Sequence, residues 1–230
     1  VLRKSNNRSI MSSTHHRSGV DYMTAWETLI HCNITKLPID LDQICKSLGI
    51  LLCSYTQGYQ ILKESNLGNE TFGADGFLIR GKRGAVILYN PHLSPGRRRY
   101  TVAHEIGHYC LNHGTGIIHR DAKEQKPRPQ IEIEADRFAA QLLSPACVLR
   151  ALHVGGPFAI RQLCHISQQA AEIAFQRLKR LHDLDAQWME ERSCSYFFQS
   201  GTEWCLYRQF EPYILATTRH LPAQNPCSAS

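Results

Sequence analysis

The sequence predicts an α+β protein in which a small β-sheet is combined with several helices. Three short runs rich in β-branched and aromatic residues predict strands: ILLCSY, DGFLIRG and GAVILYN. Segments before and after these runs repeat apolar residues at helical spacing. With 230 residues, of which 43% are hydrophobic, the chain can form a core without disulfides.

Composition and charge argue against several classes of protein. No run approaches the ~18 apolar residues that a membrane span requires, and the N-terminus lacks the apolar stretch of a signal peptide, so we expect a cytoplasmic protein without a membrane partner. Nine cysteines without a C-x-x-C pair argue against a disulfide framework. Four charges of the net +6 lie in residues 1–20, where we expect a disordered basic leader, so the rest of the chain is nearly balanced.

The first elements follow in a consistent order. DYMTAWETLIHCN and DLDQICKSLGI have helical spacing, and Asp40 is suited to cap the second helix. DGFLIRG and GAVILYN predict a hairpin across GKRG. Ser94 and Pro95 then have the order of an N-cap and a first helical residue, and the helix that they begin should run to about His113.

The later elements are helical. After a polar loop, IEIEADRFAAQLLSP predicts a helix that Pro145 ends. FAIRQLCHISQQAAEIAFQRLKRL predicts two more helices with a break near Ile166 and Ser167. Beyond Asp183 the pattern weakens, and the aromatic residues there have no clear period.

The chemistry of the chain is concentrated in TVAHEIGHYCLNHG, residues 101–114. His104 and His108 lie four residues apart, so both can point to one side of a helix and share a metal ion. H-E-x-x-H is a zinc motif in which the glutamate, here Glu105, serves as general base. Apolar residues on both sides of the pair predict a buried helix. The alternative is two core histidines hydrogen-bonded to the backbone.

Catalytic zinc takes three protein ligands, so the motif lacks one. His113 is nearby, but it follows His108 by five residues, whereas the metzincin pattern requires six with an intervening glycine. The segment IEIEADRFAAQLL offers glutamates instead, on a helix with a buried stripe.

Two glutamates of that helix compete for the position. Glu134 lies on the row of Phe138 and is the preferred ligand, with Glu132 on a neighbouring row as the alternative. Asp136 could hydrogen-bond a ligating histidine from behind. It could equally be a solvated carboxylate that pairs with Arg137.

These residues also resemble a known family. RRRYTVAHEIGHYCLNH followed by EIEADRFAAQLLSP resembles the ImmA/IrrE metallo-endopeptidases, in both motifs and in their spacing, and the likeness extends from about Asp40 to Leu181. The resemblance implies Zn²⁺ held by His104, His108 and Glu134. It also implies a zincin-like, gluzincin-type α+β catalytic domain with a small sheet, followed by helices of helix-turn-helix appearance.

The resemblance further implies a biological role. Members cleave a partner repressor of helix-turn-helix type and so switch on genes of prophages, mobile elements or stress responses. Fewer than 50 residues follow His182, too few for the sensor domain that the longest members carry. The expected organisation is a leader at 1–20, a zinc metallopeptidase domain at 21–150, a helical helix-turn-helix-like subdomain at 151–182 and an extension of unknown role at 183–230.

Other interpretations remain open at this stage. The two helices before His182 could bind DNA, but the second begins QQAAEIAF, with apolar residues where base-reading side chains should stand, so packing or substrate docking is favoured. GAVILY could be an edge strand that pairs with an extended substrate, or an interior strand. The chain could also be a metal-binding regulator or toxin component that acts by binding a partner without proteolysis.

Overall fold

The computed structural model of the protein describes residues 22–64, 74–81, 84–113, 129–192 and 201–219. Within these ranges the chain is mixed α+β and mostly helical, which confirms the predicted class. The helices are α1 (Ala25–His31), α2 (Leu41–Ser47), α3 (Tyr59–Glu64), α4 (Pro95–Cys110), α5 (Gln130–Leu143), α6 (Ala146–Ala151), α7 (Pro157–Cys164), α8 (Gln168–Arg192) and α9 (Gly201–Thr218). The strands are β1 (Ile50–Ser54), β2 (Gly76–Gly81) and β3 (Gly84–Tyr89).

The three strands form one mixed sheet in the order β1-β3-β2. β1 runs parallel to β3, and β2 runs antiparallel to it in the predicted hairpin, with Gly81 opposite Gly84. β3, the GAVILY strand, is therefore the central strand of the described sheet. The edge-strand interpretation of this run is wrong and the interior one is confirmed, because both sides of β3 are paired and its Ile87 and Leu88 are fully buried.

The predicted starts of α2 and α4 agree with the structure, whereas the predicted end of α4 does not. Asp40 caps α2 as predicted, its carboxylate accepting a hydrogen bond of 2.9 Å from the Gln43 amide. α4 begins at Pro95, although the Ser94 side chain makes no capping bond. The helix ends at Cys110, three residues before the expected position, because the chain turns through Asn112 with a left-handed φ of 52°.

α4 and α5 pack closely in the centre of the molecule, and Gly107 allows the close approach. A Cβ atom at this position would lie 3.1 Å from Phe138 Cδ1 and 3.3 Å from Ala135 Cα. Both neighbours are on α5 and both are buried. The absence of a side chain at Gly107 thus lets α5 approach the middle of the H-E-x-x-H segment, which brings the two helices within reach of a shared site.

The C-terminal part is more regular than the sequence predicts. The expected break between two helices lies between α7 and α8, but α8 continues to Arg192 and α9 was not predicted. Leu206, Phe210 and Ile214 of α9 recur every four residues and are buried in the main core. The Gln209 side chain also donates to the backbone carbonyls of Leu29 in α1 and of Ile34 just after it, at 2.9 and 2.7 Å.

Two further observations concern membrane spans and cysteines. No helix within the described ranges is long and apolar enough to cross a membrane. Of the nine cysteines, seven lie in described ranges as free thiols, six of them buried. The predicted leader at 1–20 and the loop at 114–128 lie outside the described residues.

Candidate metal centre

The centre of the site is one face of α4. His104 and His108 are each only 3% exposed, and their Nε2 atoms lie 2.9 Å apart. They point the same way because they are one helical turn apart. Every residue from Thr101 to His108 is buried, so the two imidazoles are held in a low-dielectric environment, where polar groups require partners.

The carboxylate that meets this pair belongs to Glu132 of α5. Its Oε1 is 3.2 Å from His108 Nε2 and its Oε2 is 3.4 Å from His104 Nε2. Burial opposes ionisation of this side chain, but the hydrogen bonds and charge of the two histidines outweigh it and lower the pKa of Glu132. The site therefore presents a carboxylate and two imidazoles to one point.

Glu134, the preferred ligand in the sequence analysis, lies elsewhere. Its side chain is 41% exposed and contacts His113, with Glu134 Oε2 3.1 Å from His113 Nε2. Successive residues of a helix are 100° apart, so Glu134 lies about 200° around α5 from Glu132. The buried face of α5 is formed by Glu132, Ala135, Phe138, Ala139, Leu142 and Leu143. In the ligand set we therefore replace Glu134 with Glu132, the alternative considered from the sequence.

Asp136 lies one turn after Glu132, on the same side of α5. Its Oδ1 is 2.9 Å from His104 Nδ1 and accepts a 2.8 Å hydrogen bond from the Tyr100 hydroxyl. With Nδ1 engaged by Asp136, His104 presents Nε2 to the centre of the site. Asp136 thus contacts His104, one of the candidate metal ligands.

His113 serves the other histidine in a similar way. Its Nδ1 is 3.0 Å from His108 Nδ1, and its Nε2 faces Glu134. Its ring nitrogens thus face His108 Nδ1 and Glu134, and not the point where Glu132 meets the Nε2 atoms of the two histidines, so we do not include His113 in the proposed ligand set. Burial lowers the pKa of His113 and favours its neutral ring, although the Glu134 carboxylate acts in the opposite direction.

Glu105 follows His104 on α4 and is buried. Tyr55 lies just after β1. Burial raises the pKa of its phenol, and the negative charges of Glu105 and Asp75 raise it further. Tyr55 donates a 3.0 Å hydrogen bond to the Ala74 carbonyl. The sequence carried no pattern that pointed to Tyr55.

The donor set fits a zinc ion. The ligand atoms of His104, His108 and Glu132 all lie within 4.8 Å of one another. Tetrahedral zinc with bonds of about 2.0–2.2 Å separates its ligand atoms by roughly 3.3–3.6 Å. The carboxylate–imidazole distances of 3.2 and 3.4 Å are close to this range, and the two Nε2 atoms lie closer together, at 2.9 Å. Two histidines and one glutamate are also the protein ligands of one class of catalytic zinc sites.

Comparison with protein families agrees with this geometry. Residues 57–157 match the Peptidase_M78 family model, described as the IrrE N-terminal-like domain. This segment is therefore similar to the Peptidase_M78 family. The predicted resemblance to the ImmA/IrrE metallopeptidases is thereby confirmed, and the family implies a metallopeptidase that acts on a protein substrate. A comparison with curated proteins found no match.

The segment that matches the Peptidase_M78 family model contains both site helices. α4 and α5 lie within residues 57–157, whereas α8 and α9 follow it. A cavity of about 250 Å³ adjoins the site between α5 and α8. Tyr100 and Asp136 form its wall on the site side, and Leu143, Ile173 and Ala174 contribute apolar surface.

α7 and α8 are the two helices that the sequence predicts on either side of a break near Ile166, and much of α8 is used for packing. Ala171, Ala174 and Leu178 of α8 are buried. Arg177, one of the basic residues considered for DNA contact, donates to the Ser144 carbonyl and hydroxyl. These positions of α8 therefore contribute to packing within the molecule.

Proposed function

We propose that the protein is a zinc-dependent, site-specific endopeptidase, with His104, His108 and Glu132 as zinc ligands and Glu105 as general base. The observation that carries this proposal is the buried meeting of two imidazoles and one carboxylate, whose ligand atoms lie within 4.8 Å of one another. The match of residues 57–157 to a peptidase family model supports it independently.

Each residue has a chemical task in this proposal. Zinc, when bound, supplies Lewis-acid polarisation of the scissile carbonyl and lowers the pKa of water from 15.7 to about 7. Glu105 accepts the proton of the attacking water and delivers it to the departing amine nitrogen. The burial of Glu105 and of both histidines strengthens these electrostatic interactions, because bulk water screens them less.

The residues behind the ligands set their orientation. Asp136 accepts a hydrogen bond from the N–H at His104 Nδ1, so that the Nε2 lone pair is available to a metal ion. Tyr100 donates to the same carboxylate oxygen of Asp136. The two bonds fix the direction of Asp136, and through it the tautomer of His104.

The proposed substrate is a partner protein, specifically a helix-turn-helix repressor whose cleavage derepresses prophage, mobile-element or stress genes in the cytoplasm. The resemblance of the two motifs to the ImmA/IrrE family supports this choice. A protease of this kind requires an exposed, extensible segment in its substrate, because the scissile bond must reach a buried site. Selective cleavage, and not general digestion, is the expected outcome.

Incubation with a candidate substrate tests the proposal. The purified protein and its Glu105→Gln variant are incubated with zinc and the repressor encoded nearest the gene, with and without a chelator, and the products are weighed by mass spectrometry. We expect the wild type to make one defined cut, and we expect no cut by the variant or by the wild type in the presence of the chelator. The variant should still bind zinc, because Glu105 is not one of the proposed ligands.

Three results would contradict the proposal. Zinc-independent cleavage would exclude the mechanism. Zinc binding and repressor capture without any cut would favour the alternative, a metal-bearing regulator that acts by binding its partner. A Glu105→Gln variant that retains the full biological effect would point the same way.

A further inference from the structure

We propose that His113 and Glu134 form a positioning relay for His108, which holds that imidazole in the tautomer and orientation that zinc requires. The inference rests on the proposed function, because it takes His108 as a zinc ligand. It gives a role to a loop histidine and to a partly exposed glutamate, neither of which belongs to the ligand set.

The turn that ends α4 brings His113 to His108. The His113 amide donates to the His108 carbonyl at 3.1 Å, and the Asn112 amide donates to the Tyr109 carbonyl at 3.2 Å. With Asn112 in the left-handed region, these two bonds form a Schellman motif, in which the residue after the left-handed position contacts the residue five before it. A hydrophobic pair commonly occupies those two places, but here they hold two histidines.

Arg80 of β2 stabilises this turn from outside. Its guanidinium donates to the Asn112 side chain at 2.7 Å and to the Tyr109 carbonyl, and it lies over the Tyr109 ring, 4.5 Å from the centroid. A cation at the C-terminus of a helix is also favoured by the helix dipole. The position of His113 is therefore fixed by backbone and side-chain contacts, and not by its own two bonds alone.

The hydrogen bonds of the relay have one consistent assignment. If His108 Nε2 gives its lone pair to a metal ion, His108 Nδ1 must carry the proton. That proton points at His113 Nδ1, 3.0 Å away, which accepts it. His113 then carries its own proton on Nε2, which faces Glu134 Oε2 at 3.1 Å. In this assignment every hydrogen-bond donor of the relay meets an acceptor, and both imidazole rings are neutral.

Glu134 closes the relay and is itself held in place. The Gln130 side chain, one turn earlier on α5, donates to Glu134 Oε1 at 2.9 Å, which leaves Oε2 directed at His113. Groups that orient a metal-bound imidazole in this way typically contribute 10–100-fold to metal affinity. His104 receives the same support from Asp136 directly, so the two histidines are oriented by different means.

Zinc affinity, measured by competition with a chromophoric chelator, tests the relay without any need for cleavage. The variants are His113→Leu, which removes the acceptor, His113→Gln, whose amide oxygen can accept the His108 proton, and Glu134→Gln. The matched control is Glu172→Gln on α8. Glu172 likewise accepts from a glutamine four residues earlier, Gln168, at 2.9 Å, but it has no place in the site.

We expect His113→Leu to weaken zinc binding about 10–100-fold, Glu134→Gln by a smaller factor, and His113→Gln to recover most of the loss. The Glu172→Gln control should bind zinc like the wild type. In ¹⁵N-edited spectra of the zinc-loaded protein, the proton on His108 Nδ1 should be present in the wild type and shifted in His113→Leu. A fold defect would instead lower the melting temperature of the zinc-free protein.

The relay would be overturned by His113→Leu binding zinc within threefold of the wild type, or by failure of His113→Gln to recover affinity while the variant remains folded. This failure is distinct from that of the proposed function. Zinc binding that depends on His113, without cleavage of any repressor, would support the relay and reject the peptidase. Cleavage by the wild type, with unchanged zinc affinity in His113→Leu, would do the reverse.

Discussion

Glu132 and Glu134 are two residues apart on α5, yet they have different surroundings. Glu132 is 5% exposed and meets the Nε2 atoms of both histidines, whereas the Glu134 side chain is 41% exposed and meets His113. The helical repeat separates them by about 200°, so only one can face α4 directly. The glutamate that we propose as ligand is therefore the one that shares a helix face with Asp136, since residues four apart lie one above the other.

The largest expected effect on zinc binding comes from replacing the Glu132 carboxylate by an amide, and the same change at Glu134 is the comparison. Glu132→Gln removes the only anionic member of the proposed donor set, and we expect zinc binding to weaken by more than about 100-fold and cleavage to be lost with it. Glu134→Gln should retain both activities at a reduced level. Chelator competition and a cleavage assay at saturating zinc measure the two quantities; equal losses in the two variants would remove the distinction.

A third glutamate sharpens the comparison, because Glu105 is assigned to proton transfer and not to the metal. Glu105→Gln should lower kcat by about 10²–10⁴-fold while zinc affinity stays near that of the wild type. Zinc content after dialysis and single-turnover cleavage report the two effects separately. Loss of zinc in this variant would show that Glu105 contributes to the metal site.

Asp136 lies on the Glu132 face and should have an intermediate effect. Asp136→Asn keeps the shape of the side chain but weakens the charge-assisted bond to His104 Nδ1, so zinc affinity should fall about 10–100-fold. Tyr100→Phe, which removes only the hydroxyl that holds Asp136, should produce a smaller loss. Titration with zinc measures both; a greater loss in Tyr100→Phe than in Asp136→Asn would contradict the order of contacts.

The smallest expected effect concerns the approach of the two helices. In Gly107→Val, the added side chain would meet Phe138 and the Ala135 backbone, and overpacking of this kind costs about 1–3 kcal/mol. Denaturation in urea without zinc measures the free energy of unfolding. Gly155→Val is the control, because a Cβ atom there meets nothing within 4 Å; similar destabilisation of the two variants would show that Gly107 is not a close-approach position.

The α+β class and the site helix could be predicted because local patterns determine them. Glycine-bounded β-rich runs gave the strands, Asp40 capped its helix, and the spacing of His104 and His108 brought both rings to one face. The sequence pattern favours Glu134 because it centres the buried face of α5 on the row of Phe138, whereas the buried face in the structure includes Glu132. A shift of one row moves a helical residue from core to surface, and only the packing of α5 on α4 determines that row.

Other features depend on contacts that are distant in the sequence. α9 has buried residues at positions 206, 210 and 214, a helical period that the sequence contains but that Pro212 obscures. The central place of β3 depends on a parallel pairing with β1, which no local pattern specifies. The contact of His113 with His108 arises from a left-handed turn at Asn112, where the sequence offered asparagine as its only signal.

The central claim, that Glu132 completes the metal site of His104 and His108, is tested most directly by a crystal structure of the zinc-loaded protein with anomalous data collected at the zinc edge. The account predicts one strong anomalous peak within bonding distance of His104 Nε2, His108 Nε2 and a Glu132 carboxylate oxygen, with His113 and Glu134 behind His108 and outside bonding distance. A peak bonded to Glu134 or His113 instead of Glu132, or no peak between the histidines at saturating zinc, would contradict it.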